Sequence, residues 1–253
     1  MNIFYNKKYL CELRLGNYKK VLSSIKNIDL IITSPPYNIG SKSPAITGKR
    51  KYGLFDPKSY KAITDYEDNL PEKVYQHQQH DFLMWCSKHI KENGAVIYNH
   101  KPRRKNGKFI RPHKWFPRCL VEKDYFIWDR GSTHNHSKEF LYHQTECFYI
   151  LAKPKAKIFF KNQDFPGGIN KGVNDVWRFD RAYGNNHNAP FNQELIEHII
   201  RCWSKEGDLI CDPYSGSGTV MKAAAKLHRK FIGSELLDKY FNLAIELFEK
   251  NFI

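Results

Sequence analysis

The sequence predicts an α/β fold, a mostly parallel sheet covered by helices on both faces. Three observations carry that expectation. Short apolar runs of strand length recur along the chain, with amphipathic helical stretches between several of them. Residues 207–235 read as a strand, a glycine turn, a helix and a second strand that ends in an acid. The 253 residues are 41% hydrophobic and 15% aromatic, which suits one such domain with a sizeable core.

In chain order, strands are expected at 13–15 (LRL), 29–32 (DLII), 95–98 (AVIY), 125–128 (YFIW), 147–151 (CFYIL), 208–211 (DLIC) and 230–233 (KFIG). A helix over 81–94 has apolar residues on one face and a glycine stop, and 192–207 and 237–251 follow the same pattern. A further helix starts near Thr219. Polar stretches of low periodicity at 40–70 and 153–187 read as loops or small insertions over the working edge of the sheet. The whole chain, 1–253, is read as one domain.

Bulk properties exclude several classes. The longest apolar runs fall far short of the roughly 20 residues that span a bilayer, and the N-terminus lacks a secretory pattern, so no membrane association is expected. Six scattered cysteines form no CxxC pair, which argues against zinc ribbons and disulfide frameworks and suits a cytoplasmic protein. The net charge of +15 favours a polyanionic partner, nucleic acid first. Residues 101–118 carry eight Lys or Arg and no acid, and 153–187 carry seven more. Arg103, Arg104, Lys105, Lys108, Arg111 and Lys114 are the candidate phosphate contacts.

Two segments carry chemistry. In DLIITSPPYNIG (29–40) an apolar strand stops at a small hydroxyl and two prolines, with a tyrosine beside them. Prolines fix φ and remove N–H donors, so the carbonyls of such a turn are held still. In GDLICDPYSGSGT (207–219) glycines at 216 and 218 permit a tight turn and close approach of a ligand to backbone. Glu235 ends the next strand, about 20 residues on, where an acid can take ribose hydroxyls. The third glycine of the dinucleotide fingerprint is missing, which leaves a nucleoside-containing cofactor open.

Ser34-Pro35-Pro36-Tyr37 followed late in the chain by DPYSGSGT (212–219) resembles the amino-group DNA methyltransferases that use S-adenosylmethionine, in the permuted order of the beta subgroup. LRLGN (13–17), IWDRG (127–131), DVWRF (175–179) and NAPFNQEL (188–195) also resemble family segments, with Asn17 where the family usually has Asp. The resemblance implies a Rossmann-like seven-stranded sheet in which the strands at 29–32 and 208–211 are neighbours. It implies that Ser34, Pro35, Pro36 and Tyr37 hold the acceptor base. The Ser34 hydroxyl and the Pro35 carbonyl would accept from its exocyclic amine, and Tyr37 would offer it a face. For the cofactor it implies Glu235 on the ribose, Asp212 near the methionine amino group, and Asn17 near the adenine amine. Pro213, Tyr214, Ser215, Gly216, Ser217, Gly218 and Thr219 form the loop beside the cofactor. Asn188, Ala189, Pro190 and Phe191 stand where the family lines the methionine pocket, although Phe191 also suits a core aromatic. Double-stranded DNA is the implied partner, and a homodimer and a cognate restriction endonuclease stay open.

Serine in the first tetrapeptide position goes more often with N4 of cytosine in the resembling family, and N6 of adenine is the alternative. Rival readings are weighed by single features. His134 and His136 could belong to a metal-dependent nuclease, but their segment lacks the accompanying cysteines and hairpin signals. Methylation at carbon 5 of cytosine would need a Pro-Cys motif, and no cysteine follows a proline. A non-catalytic DNA-binding module would leave Ser34–Tyr37 and Glu235 without a purpose. An RNA or protein amide methyltransferase is separated by its substrate alone.

Overall fold

The computed structural model describes residues 2–38, 69–105, 107–131, 141, 143–158, 174–180 and 190–252. Its strands are β1 (Ile3–Asn6), β2 (Cys11–Leu15), β3 (Ile28–Thr33), β4 (Ile90–Asn99), β5 (Arg103–Lys105), β6 (Lys108–Ile110), β7 (Val121–Asp129), β8 (Thr145–Ala152), β9 (Val176–Arg178), β10 (Leu209–Asp212) and β11 (Lys230–Glu235). The helices are α1 (Tyr18–Val21), α2 (Glu72–His89), α3 (Gln193–Trp203), α4 (Thr219–Lys226) and α5 (Asp238–Phe252).

All seven expected strands are present, and among the described residues they belong to a nine-stranded sheet of order β1-β2-β11-β10-β3-β4-β8-β7-β9. The two additions, β1 and β9, sit at its edges. The sheet is mixed. β2, β11, β10, β3 and β4 run parallel. β8 is antiparallel to β4 and to β7. Side chains alternate between two cores, as a period of two requires. On β3, Leu30 and Ile32 face the layer of α3, α4 and α5, while Ile31 faces the layer of α1 and α2, joined there by Ile28 from beyond a register irregularity between Ile28 and Leu30. β4 repeats this, with Ala95 and Ile97 on one side and Val96 and Tyr98 on the other.

The connections β3–α2–β4 and β10–α4–β11 lead away from each other, and β3 pairs with β10 through Leu30–Ile210 and Ile31–Cys211. The winding therefore reverses between these two strands. Their carboxyl ends flank the crevice where open α/β sheets bind ligands.

The helix expected over 81–94 differs. It starts at Glu72, and β4 takes over at Ile90, so Gly94 lies in a strand. A Cβ on Gly94 would sit 2.9 Å from the Ile28 carbonyl, beside an irregularity in the β3–β4 register. The glycine serves this close strand approach and is not a helix stop. Within 101–118, β5 and β6 form a separate antiparallel hairpin. Within 153–187, expected as loops or small insertions, β9 pairs parallel with β7.

Candidate active site

Two turns meet at the reversal. The β3 turn begins at Thr33, whose Oγ1 donates to Asp212 Oδ1 at the end of β10 over 2.9 Å. Ser34 Oγ then donates to Asn99 Oδ1 at 3.1 Å and lies 3.0 Å from Tyr37 Oη. Tyr37 Oη also bonds Asn99 Oδ1 and, at 3.4 Å, Glu146 Oε2. Asn99 is the last residue of β4, and its amide is oriented by donation to the Cys147 carbonyl at 3.1 Å. Glu146 stands at the start of antiparallel β8, so it reaches the same sheet edge, and Arg130 Nη1 pairs with it at 2.8 Å.

Asn99 Oδ1 can only accept, and both Ser34 Oγ and Tyr37 Oη are placed to donate to it; with the Ser34 proton on Asn99 the serine lone pairs are left as acceptors. Burial, together with the Glu146 charge, pushes the Tyr37 phenol well up, so Tyr37 is neutral. Of the two proline carbonyls, Pro36 accepts from Tyr75 Oη at 2.9 Å. No donor among the described residues reaches that of Pro35. Tyr75 Oη is also 2.6 Å from His100 Nε2, and His100 Nδ1 faces the Lys101 carbonyl at 2.8 Å. Nδ1 therefore carries the hydrogen. Burial pulls the His100 pKa down to about 3, so the ring is neutral, and the single Tyr75 phenol proton is shared between Nε2 and the Pro36 carbonyl.

The second turn, Asp212–Gly218, is built mainly from backbone. Asp212 Oδ1 also accepts from Tyr214 N at 3.1 Å, and Ser215 Oγ donates to the Asp212 carbonyl at 2.8 Å. Gly216 N donates to Glu235 Oε2 at 2.8 Å, and Leu237 N to Glu235 Oε1 at 2.9 Å. Gly218, at φ +76°, starts α4, and a Cβ there would lie 3.0 Å from Ala244 Cβ. Burial lifts the Asp212 pKa to about 7; Tyr214 N and Thr33 pull it down, and the Glu235 charge pushes it up.

A cleft of about 460 Å³ opens beside both turns, lined among others by Gly16, Asn17, Pro36, Tyr75, Tyr214 and Glu235. It brings together Asn17, Pro36, Pro213, Tyr214 and Glu235 of the expected residues. The donor set fits an adenosine group: a carboxylate at a strand end, an amide and aromatic walls, next to a turn that glycines keep low. Asn17 Oδ1 caps α1 by accepting from Lys19 N at 2.9 Å, so its amide nitrogen is the group better suited to a purine.

Other expectations fare differently. Phe191 packs on Phe148 with ring centres 5.8 Å apart, against the core and away from the cleft lining. Arg103 is a correction. It is 8% exposed, donates twice to Glu72 and lies over the Tyr75 ring, so it pins the hairpin and is not presented to a phosphate. Arg104, Lys108, Arg111 and Lys114 are exposed, and Lys105 is half-buried with Nζ 3.6 Å from Glu72. Asn188, Ala189, His134 and His136 lie outside the described residues, as do nearly all of 40–70 and most of 153–187. Sequence reading missed Asn99, Glu146, Arg130, Tyr75 and His100. The signal for the first lay in AVIYNH, an apolar strand ending in Asn-His just as 29–34 ends in Thr-Ser.

A family model described as DNA methylase, of the N6/N4 type, matches residues 28–246. The type II methyltransferase M.BglII of Bacillus subtilis is 22% identical over 281 residues, covering 96% of this chain and 70% of its own. Among solved structures, the PvuII DNA methyltransferase (cytosine-N4-specific) aligns with a TM-score of 0.68 at 18% identity, covering 100% of this chain and 92% of that one. The M1.HpyAVI–SAM complex aligns with a TM-score of 0.62 at 20% identity, covering 92% and 97%. Identities this low support the fold alone, whereas the family match spans most of the chain with both turns inside it. The chain belongs to the N6/N4 DNA methylase family, the S-adenosylmethionine-dependent DNA amino-methyltransferases.

Proposed function

We propose that the protein methylates N4 of a cytosine flipped out of double-stranded DNA, as a site-specific modification enzyme. The observation that carries the reading is the Ser34 hydroxyl, placed to donate to Asn99 Oδ1 and so to accept in turn, beside a proline carbonyl that lacks a donor among the described residues. An exocyclic amine has its lone pair delocalised into the ring and is a poor nucleophile. Two acceptors, Ser34 Oγ and the Pro35 carbonyl, would draw its two N–H bonds and turn the lone pair outward. The amine is inaccessible inside a duplex, so the base must leave the stack.

When bound, S-adenosylmethionine supplies an electrophilic methyl group on a sulfonium sulfur. The protein's part is alignment and exclusion of water more than strong base catalysis. Glu235 would accept from the ribose hydroxyls, and Asp212 would balance the charge of the amino-acid portion. Alkylated nitrogen is cationic and strongly acidic, so its surplus proton passes to solvent without a dedicated base. Cytosine is supported by serine in the first position of the tetrapeptide, which in the resembling family goes more often with cytosine.

The test is incubation of the purified protein with labelled cofactor and mixed-sequence duplex DNA, followed by digestion to nucleosides and mass spectrometry. N4-methylcytosine is expected. N6-methyladenine alone would overturn the base while keeping the amino-methyltransferase reading, and no label on DNA would overturn the whole reading.

A further inference from the structure

We infer that the β5–β6 hairpin is the element that meets duplex DNA at the target base, with Phe109 as a wedge that fills the stack when the base leaves it. This rests on the proposed function above. Phe109 is a large apolar side chain left 39% exposed, while its neighbour Ile110 is 7% exposed. It stands opposite Arg104 in the hairpin register. The Arg104 and Arg111 guanidiniums lie 5.4 and 5.9 Å from its ring centre. An exposed ring bracketed by two cations matches a partner with a flat apolar stack between two lines of phosphate.

The hairpin is tied to the base side of the site. Asn99, which fixes Ser34, is followed directly by His100 and Lys101, and Lys101 Nζ is 5.5 Å from the Tyr37 ring centre. Arg103 grips Glu72 and lies 4.5 Å from the ring of Tyr75, whose hydroxyl holds the Pro36 carbonyl. A buried pin thus connects the hairpin to the turn that would receive the base. A base rotated toward Ser34 leaves a gap in the duplex, and an aromatic ring inserted there offsets the lost stacking.

The experiment compares wild type, Phe109→Ala and Phe109→Trp on two duplexes. One carries the site that the wild type methylates, found by methylome sequencing of plasmid modified by it. The other carries the same site with the target base mismatched, so that unpairing is already done. Phe109→Ala should lose about tenfold or more in kcat/KM on the matched duplex. It should stay within about threefold of wild type on the mismatched one. Phe109→Trp should retain activity on both. Equal activity of Phe109→Ala and wild type on the matched duplex would overturn the wedge. So would an equal loss on both duplexes, which would mean the ring merely supports its hairpin. A wild type that methylates no DNA would fail earlier, and would remove the proposed function together with the wedge.

Discussion

The ends of β3 and β10 lie side by side, yet they are built by opposite means. The β10 end is shaped by backbone. Gly216 and Gly218 at positive φ, amide donors to Glu235, and a serine bonded to the local carbonyl set its form, and almost every part comes from residues 212–237. The β3 end is shaped by side chains drawn from afar, since Ser34 and Tyr37 depend on Asn99, Glu146 and Arg130. The turn proposed for the cofactor is therefore local, whereas the pocket proposed for the base is assembled by the sheet. Substitutions on the two sides should consequently fail in different ways.

The largest separation is expected for Ser34→Ala. It removes one of the two proposed acceptors for the amine, and kcat should fall about 10²- to 10³-fold. The affinity for S-adenosylmethionine, measured by calorimetry, should change less than about twofold, because Ser34 does not line the cofactor cleft. A parallel loss in both quantities would dissolve the distinction. Tyr37→Ala should follow the same pattern more weakly. Base–aromatic stacking is worth about 1–3 kcal/mol, and the loss of its hydroxyl bonds also loosens Ser34. Turnover close to that of wild type would make Tyr37 a packing residue.

Glu235→Gln probes the opposite side. The amide keeps the shape of the carboxylate but loses its charge toward ribose hydroxyls. Cofactor affinity should drop about tenfold, with kcat at saturating cofactor near wild type. A fall in saturated kcat without a change in affinity would place Glu235 in the wrong half of the site.

The same contrast explains what was legible in the sequence. The local turn was legible because glycine, Asp212 and Glu235 stand at fixed spacing along one strand–helix–strand unit. All seven internal strands were legible from their apolar runs, and so was the neighbour relation of β3 and β10, which the family resemblance implied. Asn99 and Glu146 were not, because they come together only through the antiparallel pairing of β4 with β8, where Asn99 stands opposite Phe148. Arg103 was misread for a related reason. Eight basic residues in one stretch look alike in sequence, and only the fold tells that one of them turns inward to Glu72 and Tyr75. Edge strands β1 and β9 were missed because their four and three residues are too short to show a period.

The smallest expected effect lies on the one side-chain bond that, among the described residues, joins the two turns directly, Thr33 Oγ1 to Asp212 Oδ1. The Asp212 pKa is about 7, raised from its ordinary value by burial. A raised folded-state pKa favours the protonated form, so its contribution to stability is present below about pH 4 and is lost as pH rises through 7. The melting temperature of wild type relative to Asp212→Asn should therefore decline over that window in the absence of cofactor. The cofactor's ammonium would favour the carboxylate, so affinity should rise with pH, by at most tenfold per unit below 7, and level off above it. 5′-Methylthioadenosine, which lacks the amino-acid portion, should show no such rise. Thr33→Val keeps the side-chain shape and deletes the hydroxyl, whose bond favours the charged form. The midpoint of the affinity–pH curve should then move upward, with the plateau affinity little changed. A midpoint that stays put would mean that the two strand ends touch without being coupled. A midpoint that moves downward would contradict the assignment of Asp212 as the titrating group.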